Sequence, residues 1–327
     1  MNDEEYALLG VLADGRFHSG EALAIQFGIT RAAIWKRIRR LAAFPGIDIE
    51  SMRGKGHRLI TPLELLDKEA IRRCVQPELQ PRLVDLQVLP VIASTNAFLS
   101  DQCSPHLHGG HACVSEYQTA GRGRRGRQWV SVFGSNVYLS LAWRFDLCIA
   151  DLAGLSIAVG VAVAQVLADL GLRSHGLKWP NDIHIHGKKL AGILVEAGGE
   201  MEGPCQAIIG LGLNIRLPAS AAQDIDQPWT DLSACLDTLP GRNRLVGKLL
   251  DALLQTCVIY QQRGLAPFME TWNAYDIYLG QEVTLMTGSS TITGIYTGLD
   301  DQGGLVLEGA AGRQIWYSGE VSLRGQV

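Results

Sequence analysis

Apolar residues recur at helical spacing three times in the first part of the chain. Leu8, Leu9 and Leu12 predict a first helix that stops at "ADGR". Ser19 is placed to cap a second helix, "GEALAIQFG", because its hydroxyl can accept a hydrogen bond from a free N–H of the first turn. Thr30 is placed in the same way to cap a third helix, "RAAIWKRIRRLAAF".

The third predicted helix has two unlike faces. One face is apolar and holds Ala33, Ile34, Ile38 and Leu41. The basic residues lie elsewhere on the helix: Arg31, Lys36, Arg37, Arg39 and Arg40. Two short helices around a glycine turn, the second basic and beginning with small residues, are what docking in the DNA major groove requires. A basic hairpin predicted from "IDIESMRGKGHRLI" follows, so residues 1–65 are predicted to form a winged helix-turn-helix domain.

The distribution of charge favours DNA binding by this domain. The whole chain of 327 residues carries a formal net charge of -4, so any nucleic-acid surface must be local. Residues 31–58 hold eight Lys and Arg against Asp48 and Glu50. This concentration disfavours the alternative, a small helical domain with a solvated charged face. The predicted DNA-contact residues, with Arg37 and Arg40 expected at phosphates, are Thr30, Arg31, Lys36, Arg37, Arg40, Arg53 and Lys55.

From residue 83 onward, short β-branched and aromatic runs alternate irregularly with helical patterns. The predicted strands are "LVDLQVL", "HACVSEYQ", "NVYLSLAW", "GLKWP", "DIHIH", "KLAGILVEAG" and "CQAIIGLGLNI". The predicted helices are "TNAFLSDQ", 152–170 and 243–263, after a short linking helix within 66–80. Because the strands cluster, an α+β domain over 66–275 is favoured over a doubly wound parallel sheet. Residues 276–327, rich in Thr, Val and Gly towards the end, predict a small β-barrel-like domain.

The cysteines and one long apolar run are informative about the cellular compartment of the protein. The seven cysteines form no CxxC pair, and their odd count argues against a disulfide framework. The start, "MNDEEYALLG", is acidic where a signal peptide would be basic, and both observations predict the cytoplasm. The most membrane-like run, 152–168, contains Ser156 and Gln165 and is marginal in length for spanning. It is predicted to be a buried helix, with no membrane as a partner.

The stretch "GRGRRGRQW", residues 121–129, sets four arginines among three glycines. It satisfies G-x-G-x-x-G, but "QWVSVFGSNVYLSLAW" predicts a strand where a dinucleotide-binding motif needs a helix. A Walker A motif is absent, because no Gly-Lys in the sequence precedes Ser or Thr. Taken alone, the run is more typical of an arm that binds single-stranded nucleic acid. Its position between two predicted strands favours instead a loop whose guanidiniums hold a small phosphate-bearing ligand.

Three further stretches are ambiguous when taken singly. "LKWPNDI" places Asn181 and Asp182 at the end of a predicted strand, and "GKKLAGILVEAG" begins another strand with a lysine pair. Buried together, these groups would be costly unless a ligand or one another satisfied them. Singly, the first is equally a turn and the second a solvated hairpin tip. "STN" at 94–96 opens a predicted helix and could be only a cap.

Read in order, "STN", "EYQTAGRGRRGRQW", "KWPNDI", "KKLAGILVE" and "GLGLNI" closely resemble the core of the biotin protein ligases. "TRAAIWKRI" in front and "GEVSLR" at the end extend the resemblance to the bifunctional type, a ligase joined to a DNA-binding repressor of biotin synthesis. The resemblance implies a class II synthetase-like mixed sheet with helices on one side, closed by an SH3-like domain. It also implies a two-step reaction. Biotin carboxylate attacks the α-phosphate of MgATP, and a carrier-protein lysine then attacks the activated carbonyl.

The resemblance also implies a role for individual residues. The catalytic residues would be Lys189, between carboxylate and α-phosphate, Arg124, and Asp182, near the acceptor lysine. Biotin would be held by Ser94, Thr95, Asn96, Gln118, Arg122, Gly123, Arg124 and Lys189. ATP and the adenylate would be held by Arg122, Arg124, Arg127, Trp129, Lys178, Asn181, Asp182, Lys189 and Asn214, with Trp129 against the adenine. Mg²⁺ would enter with ATP, without a separate metal site.

Two expectations concern details of the loop. The family usually has proline where this chain has Val132, and valine is expected to loosen the turn more than the chemistry. The Arg/Gly loop is expected to be mobile without ligand and to order when the adenylate gives its arginines partners.

The resemblance further implies partners. Biotinoyl-adenylate would drive formation of a homodimer that binds operator DNA, and "KLAGILVEAG" could pair edge to edge with its copy. A biotin carboxyl carrier protein would be the acceptor. Two alternatives stay open: a ligand-sensing transcription factor without ligase activity, and a lipoate-type ligase. The lipoate members of the family lack the GRGRRGR form, which argues against that substrate.

Overall fold

The computed structural model describes residues 1–102, 108–199, 203–218, 221–287 and 290–323. Along the chain, these residues form sheets of two, seven and five strands. One of the seven cysteines, Cys103, lies outside the described residues, as does Arg324, the last residue of "GEVSLR". The six cysteines in the described part are free thiols.

The amino-terminal residues form the predicted winged helix-turn-helix. Its elements are α1 (Asp3–Leu12), α2 (Gly20–Phe27), α3 (Arg31–Leu41) and a hairpin that pairs β1 (Ile49–Met52) antiparallel with β2 (Gly56–Leu59). Ser19 and Thr30 cap α2 and α3 as predicted, because their side chains accept from the N–H of Ala22 and Ala33. α2 ends at Gly28, whose φ of 63° is accessible to glycine at little cost.

The core of this domain extends into the next one. The apolar face of α3 is buried as predicted, with Ile34 and Leu41 packed in one cluster with Leu8 and Leu9 of α1. Phe133, which follows the Arg/Gly loop far along the chain, is fully buried in the same cluster. The winged helix and the central domain therefore share a core.

The central domain is the predicted mixed sheet. Its strands are β3 (Leu83–Ile92), β4 (Gly110–Gln118), β5 (Asn136–Phe145), β6 (His175–Lys178), β7 (Asp182–Ile185), β8 (Lys188–Gly199) and β9 (Cys205–Asn214). They lie in the order β3-β4-β5-β9-β8-β7-β6, and only the β3–β4 pair is parallel. Its helices are α4 (Lys68–Arg72), α5 (Thr95–Gln102), α6 (Leu155–Asp169), α7 (Arg242–Arg263) and α8 (Met269–Tyr275). Every strand and helix predicted for this domain is present.

The helices do not all lie on one side of the sheet, so the expectation of helices on one side was wrong for α5. Leu99 of α5 packs with Cys113 and Ala142, whereas Val114 and Leu141 face the large core that contains α6 and α7. Because successive strand residues point to opposite faces, α5 covers the face away from α6 and α7.

The long apolar helix is buried, as predicted. The segment Ile149–Asp169 is long and apolar enough to cross a membrane by length and composition, but much of it lies inside the protein. Most side chains of α6, from Leu155 to Leu167, belong to the main core.

The carboxy-terminal residues form the predicted small β domain. Its strands are β10 (Glu282–Thr287), β11 (Ser290–Leu299), β12 (Leu305–Gly309), β13 (Gly312–Trp316) and β14 (Glu320–Leu323), all paired antiparallel. Val283 and Leu305 join the main core, and Trp179 Nε1 donates to the Gly303 carbonyl oxygen at 3.0 Å. The β domain is therefore packed on the central domain. The domain limits at 65/66 and 275/276 stay predictions.

A buried charge network fixes the winged helix to the central domain. Glu116 of β4 is fully buried and forms an ion pair with Arg242 at the start of α7, with 2.7 Å between Oε2 and Nη1. The other carboxylate oxygen of Glu116 accepts from the hydroxyl of Tyr6 in α1 at 2.9 Å and from the N–H of Leu66 at 2.6 Å. Because the carboxylate is compensated on both oxygens, it can be buried at the domain boundary.

Candidate active site

A cavity of about 1190 Å³ lies on the α5 face of the sheet. It is lined by the start of α5, the end of β4, the Arg/Gly loop, the turn between β6 and β7, and the floor of β9. Residues 42–46 and Asp48 of the winged helix also line it. Every residue predicted to bind biotin or nucleotide contributes to this lining. The structure therefore brings together stretches that were ambiguous singly.

One corner of the cavity is a network of small polar groups. Gln118 Oε1 accepts from the backbone N–H of Thr95 at 2.8 Å and from its hydroxyl at 3.1 Å. Ser140 Oγ lies 2.7 Å from Thr95 Oγ1 and donates to Asn96 Oδ1 at 2.5 Å. A Cβ at Gly210 would lie 2.3 Å from that same Asn96 oxygen, so glycine is needed there. This corner has the paired donors and acceptors that a ureido ring requires.

Sequence reasoning missed Ser140 and Glu196. Ser140 is fully buried in the otherwise apolar run "NVYLSLAW", and a lone hydroxyl in such a strand was the signal available. Glu196 Oε2 of β8 accepts from Asn96 Nδ2 at 2.7 Å and from Arg122 Nη2 at 3.1 Å. Nothing in the sequence indicated that Arg122 would have a protein carboxylate as a partner.

Two of the three residues predicted to be catalytic, Lys189 and Asp182, form an ion pair in this cavity. Lys189 Nζ lies 2.9 Å from Asp182 Oδ1, and both side chains are mostly buried. The backbone of Lys189 is fixed because its N–H donates to the Pro228 carbonyl and its own carbonyl accepts from Thr230. Lys188, its neighbour, is exposed. Only the second lysine of "GKK" therefore faces the site.

The electrostatics of Asp182 keep it ionised. Burial alone raises its pKa, but the neighbouring His184 ring and the charge of Lys189 outweigh burial and lower the pKa to about 2. His184, which the sequence did not single out, is buried with Nε2 3.9 Å from Asp182 Oδ2. Within the described residues its ring nitrogens have no hydrogen-bond partner, and burial lowers its pKa.

Arginines of the loop already have protein partners in this structure. Arg122 contacts Glu196, Arg124 donates to Asn181 Oδ1 at 3.1 Å, and Arg127 forms two hydrogen bonds with Glu320 of β14 at 2.6 and 3.1 Å. The expectation that partners come only with the adenylate was therefore wrong for these three. An anionic ligand at the loop would compete with the carboxylates of Glu196 and Glu320 for Arg122 and Arg127, whereas Arg124 can keep its bond to Asn181.

Trp129 lines the cavity over Gly212, the next residue after Gly210 on the same face of β9. A Cβ at Gly212 would lie 2.5 Å from the Trp129 ring, and one at Gly192 would lie 3.0 Å from it, so the indole rests on two glycines of the sheet. Lys189 Nζ lies 5.7 Å from a ring centroid of the indole. Beside this wall, burial lowers the pKa of Lys178.

Comparison with known proteins identifies the family. Residues 88–214 match the Biotin/lipoate A/B protein ligase family, 278–324 the Biotin protein ligase C terminal domain, and 5–58 an HTH domain. The Bifunctional ligase/repressor BirA of Salmonella typhimurium is 42% identical over 317 residues, which cover 97% of this chain and 96% of that protein. The chain belongs to the bifunctional biotin protein ligases. The BirA of Escherichia coli strain K12 is 40% identical with the same coverage.

A solved structure agrees with this biotin protein ligase in fold. The biotin protein ligase from Aquifex aeolicus, in complex with biotin and ATP, superposes with a TM-score of 0.62 at 28% identity. The match covers 74% of this chain and 99% of the Aquifex chain. The predicted fold class, with its amino-terminal HTH domain, mixed-sheet ligase domain and carboxy-terminal β domain, is therefore confirmed.

Val132, the departure from the family's usual proline, is hydrogen-bonded through its backbone. Its N–H donates to the Tyr138 hydroxyl oxygen at 2.7 Å, and that hydroxyl lies 3.1 Å from the Val132 carbonyl oxygen. Proline has no N–H to donate. The side chain is fully buried, and a Cβ at Gly46 of the winged helix would lie 2.5 Å from it. The expectation of a looser turn stays a prediction, and the hydrogen bond from the Val132 N–H is one that proline could not make.

The predicted DNA-contact residues of this biotin protein ligase are unequally available. Arg31, Lys36, Arg53 and Lys55 are exposed, and Thr30 is the N-cap of α3. Arg37 forms an ion pair with Glu4 and its side chain is only 15% exposed. Arg40 lies 3.2 Å from Glu5 but is 56% exposed. On these contacts Arg40 is the better placed of the two to meet a phosphate.

Proposed function

We propose that this chain activates biotin with ATP to biotinoyl-5'-adenylate and pyrophosphate, and then transfers biotin to a lysine of a biotin carboxyl carrier protein. The observation that carries the proposal is the Lys189–Asp182 ion pair beside Arg124 and Asn181 in one cavity. The Salmonella ligase/repressor, 42% identical over nearly the whole chain, supports it.

The first step joins two anions. A carboxylate oxygen of biotin attacks the α-phosphorus of ATP, and the bond to the bridging oxygen of the departing pyrophosphate breaks. Lys189 and Arg124 would offset the repulsion and donate to the oxygens on which charge grows. Because both side chains are already held by Asp182 and Asn181, little reorganisation is needed when the reactants meet. Mg²⁺ bound to the polyphosphate would neutralise further charge.

The second step moves the biotinoyl group to an amine. The carrier lysine, once its ammonium has lost a proton to solvent, attacks the adenylate carbonyl carbon through the neutral nitrogen. The bond from that carbon to the phosphate oxygen breaks, AMP leaves, and the second proton released from the nitrogen passes to solvent. Asp182, anionic at neutral pH because of its low pKa, is suited to hold the incoming ammonium. Arg124, Arg127 and Trp129 would cover the mixed anhydride and keep water from it.

The two substrates would occupy different ends of the cavity. The polar corner and the loop would hold biotin through Ser94, Thr95, Asn96, Gln118, Arg122, Gly123, Arg124 and Lys189. The end near Trp129 would hold the nucleotide through Arg122, Arg124, Arg127, Trp129, Lys178, Asn181, Asp182, Lys189 and Asn214. That both sets line one continuous cavity supports the placement of both substrates in it.

We also propose that the adenylate-bound chain dimerises and represses transcription at an operator of biotin synthesis genes. One winged helix covers one half-site, so a two-fold dimer would face two half-sites. The BirA proteins of Salmonella and Escherichia coli, called ligase/repressors, support the role. The basic, exposed positions on α3 and the hairpin tip supply the surface.

Only part of β8 has an unpaired edge, so the proposed contact between two copies is limited to that part of the strand. Residues 188–192 pair with β7, so the expectation that the whole "KLAGILVEAG" strand forms an edge was wrong. From Leu194 to Gly199, β9 pairs with one side, and no strand in the described part of the chain pairs with the other. Glu196, the partner of Arg122, lies within this open stretch. A second copy or the carrier protein would compete for it, so ligation and repression would exclude each other.

The cytoplasm is the proposed location. The six free thiols of the described residues are compatible with a reducing compartment.

Mass spectrometry of an acceptor tests the ligase proposal. The protein is incubated with MgATP, a purified biotin carboxyl carrier domain and either biotin or lipoate. The proposal expects the carrier to gain the mass of one biotinoyl group with biotin, and no comparable gain with lipoate. Adenylate-dependent DNA binding without any mass gain would favour the ligand-sensing transcription factor instead.

A further inference from the structure

Trp35 is a large apolar side chain exposed on the outer side of α3. Its side chain is 53% exposed, whereas Ile34 and Ile38 on the same helix are buried. It lies one helical turn from Arg31 and one from Arg39. The Arg39 guanidinium carbon lies 4.9 Å from the centroid of the indole. Neither Trp35 nor Arg39 was among the residues that the sequence predicted to contact DNA.

The stacked pair is preorganised for a contact. A guanidinium on the face of an indole gains a cation–π interaction, and it restricts both side chains to one arrangement. An indole has only two side-chain torsions, so little further entropy is lost when a partner covers it. The exposed part of this ring does not stabilise the folded domain, because it is the opposite, apolar face of α3 that packs against α1.

The charges around Trp35 favour a polyanion as its occupant. Arg31 and Arg39 are exposed on the same side of α3 as Trp35, Lys36 is exposed next to Trp35 in the chain, and the helix holds no acidic residue. In the DNA major groove, the base edges offer one apolar group, the C5 methyl of thymine. Trp35 is the fifth residue of α3, and residues near the start of such a helix are the ones that meet base edges.

We propose that Trp35 recognises a thymine methyl group in each operator half-site, and that Arg39 is a positioning residue that holds the indole. The inference rests on the proposed DNA binding by the winged helix. It adds a base preference that hydrogen-bonding side chains of the same helix would not supply, because a thymine methyl can only be recognised by apolar contact.

The test removes the methyl group from the DNA and the indole from the protein. Full-length protein with biotin and MgATP selects binding sites from a library of duplexes with a randomised central segment. Each thymine of the selected sequence is then replaced by deoxyuridine, which keeps the base pair and lacks the methyl group. We expect one thymine in each half-site at which wild-type protein binds about fourfold more weakly after replacement, the factor for one buried methyl group.

Variants assign that effect to the indole. Trp35→Ala should bind the thymine and deoxyuridine duplexes equally, and Arg39→Gln should retain only part of the difference. Ile25→Ala is the matched control, because Ile25 is an apolar residue of the preceding helix and 78% exposed, and it should retain the whole fourfold difference. Thermal unfolding midpoints of the variants close to wild type would show that the domain stays folded.

The outcomes separate this inference from the proposed function beneath it. If wild-type protein selects a sequence but no thymine is sensitive to loss of its methyl, or if Trp35→Ala stays fourfold sensitive, the Trp35 assignment is overturned and DNA binding stands. If wild-type protein enriches no sequence at all, the operator proposal fails, and the assignment fails with it.

Discussion

Arg122 and Glu196 form an ion pair with 3.1 Å between Nη2 and Oε2, which joins the Arg/Gly loop to the open stretch of β8. The same carboxylate oxygen accepts from Asn96 in the polar corner of the cavity. An anionic ligand that takes Arg122 therefore displaces a carboxylate that lies in the proposed dimer edge. Glu196 therefore connects ligand binding at the loop with the proposed dimer edge of β8.

Glu196→Gln should release Arg122 without changing the shape of the side chain. Because the pair is half exposed, it is worth at most about 1 kcal/mol, so we expect adenylate analogue to bind up to about fivefold more tightly. Isothermal titration with a non-hydrolysable analogue measures this. Glu50→Gln, which breaks the similarly exposed Glu50–Arg58 pair in the wing, is the matched control and should leave the affinity unchanged. Weaker binding by Glu196→Gln would contradict the exchange of partners.

Lys189→Ala should lose adenylate formation. Removal of a donor to developing charge typically slows the chemical step on the order of 100-fold or more. Pyrophosphate release on mixing with biotin and MgATP measures the step. Lys188→Ala changes the exposed neighbour and should release pyrophosphate at the wild-type rate. A near wild-type rate for Lys189→Ala would refute the assignment.

Arg242→Met should destabilise the fold strongly. Glu116 would stay buried without its cation, and an uncompensated buried charge costs on the order of 3–5 kcal/mol. Urea unfolding followed by tryptophan fluorescence measures the change. The double variant Arg242→Met with Glu116→Gln removes both charges and should recover most of the loss. Equal destabilisation of the single and double variants would show that the ion pair is not the cause.

His175 should make stability depend on pH below neutrality. Burial lowers its pKa in the folded protein, although its hydrogen bond to the Ala164 carbonyl opposes the shift. Below about pH 6.5 the unfolded chain therefore binds more protons, and stability falls as pH falls, by up to about 1.4 kcal/mol per pH unit for one group. Above that pH this histidine contributes no dependence.

The variant His175→Phe isolates this contribution. Phenylalanine keeps a ring against Tyr275, whose ring centroid lies 5.1 Å away, and cannot titrate. Urea unfolding at pH 7.5 and pH 5.5 should show a smaller loss of stability for the variant than for wild type. Parallel losses would mean that other groups cause the dependence.

Arg40 and Arg37 should differ in their contribution to DNA binding. Arg40→Gln should reduce the slope of log affinity against log salt by about 0.9, the value for one phosphate contact. Arg37→Gln should change the slope less, because Glu4 already neutralises Arg37. Operator binding at a series of salt concentrations measures both. An equal change would mean that DNA breaks the Arg37–Glu4 pair.

The sequence alone was enough to predict the helices and strands and most of the residues that line the cavity. Helical and strand periodicity placed the elements because their apolar residues are buried in the core, and caps such as Thr30 act within four residues. Lys189 could be chosen by resemblance, and the structure shows why Lys188 is not equivalent: the backbone at 189 pairs with residues 228–230.

Features that depend on distant partners could not be predicted in this way. From the sequence alone, neither Arg37 nor Arg122 had an apparent acidic partner. In the structure, α1 places Glu4 beside Arg37, and β8 places Glu196 beside Arg122. The side of the sheet covered by α5 depends on the path from β3, which local periodicity does not encode. Trp35 was missed because an aromatic in a helix is usually assigned to the core.

Residues 42–46 and Asp48 of the winged helix form part of the wall of the ligand cavity, and Phe133 fills part of the core of the winged helix. The winged helix consequently cannot be exchanged as an independent unit without a change in the cavity. A chimera that carries the winged helix of another repressor would lose Gly46 and the Pro45 carbonyl, which accepts from the Phe133 N–H at 2.8 Å, and its cavity would be reshaped. Engineers who want a new operator specificity in this scaffold should recode the outer face of α3 and leave the segment after it untouched.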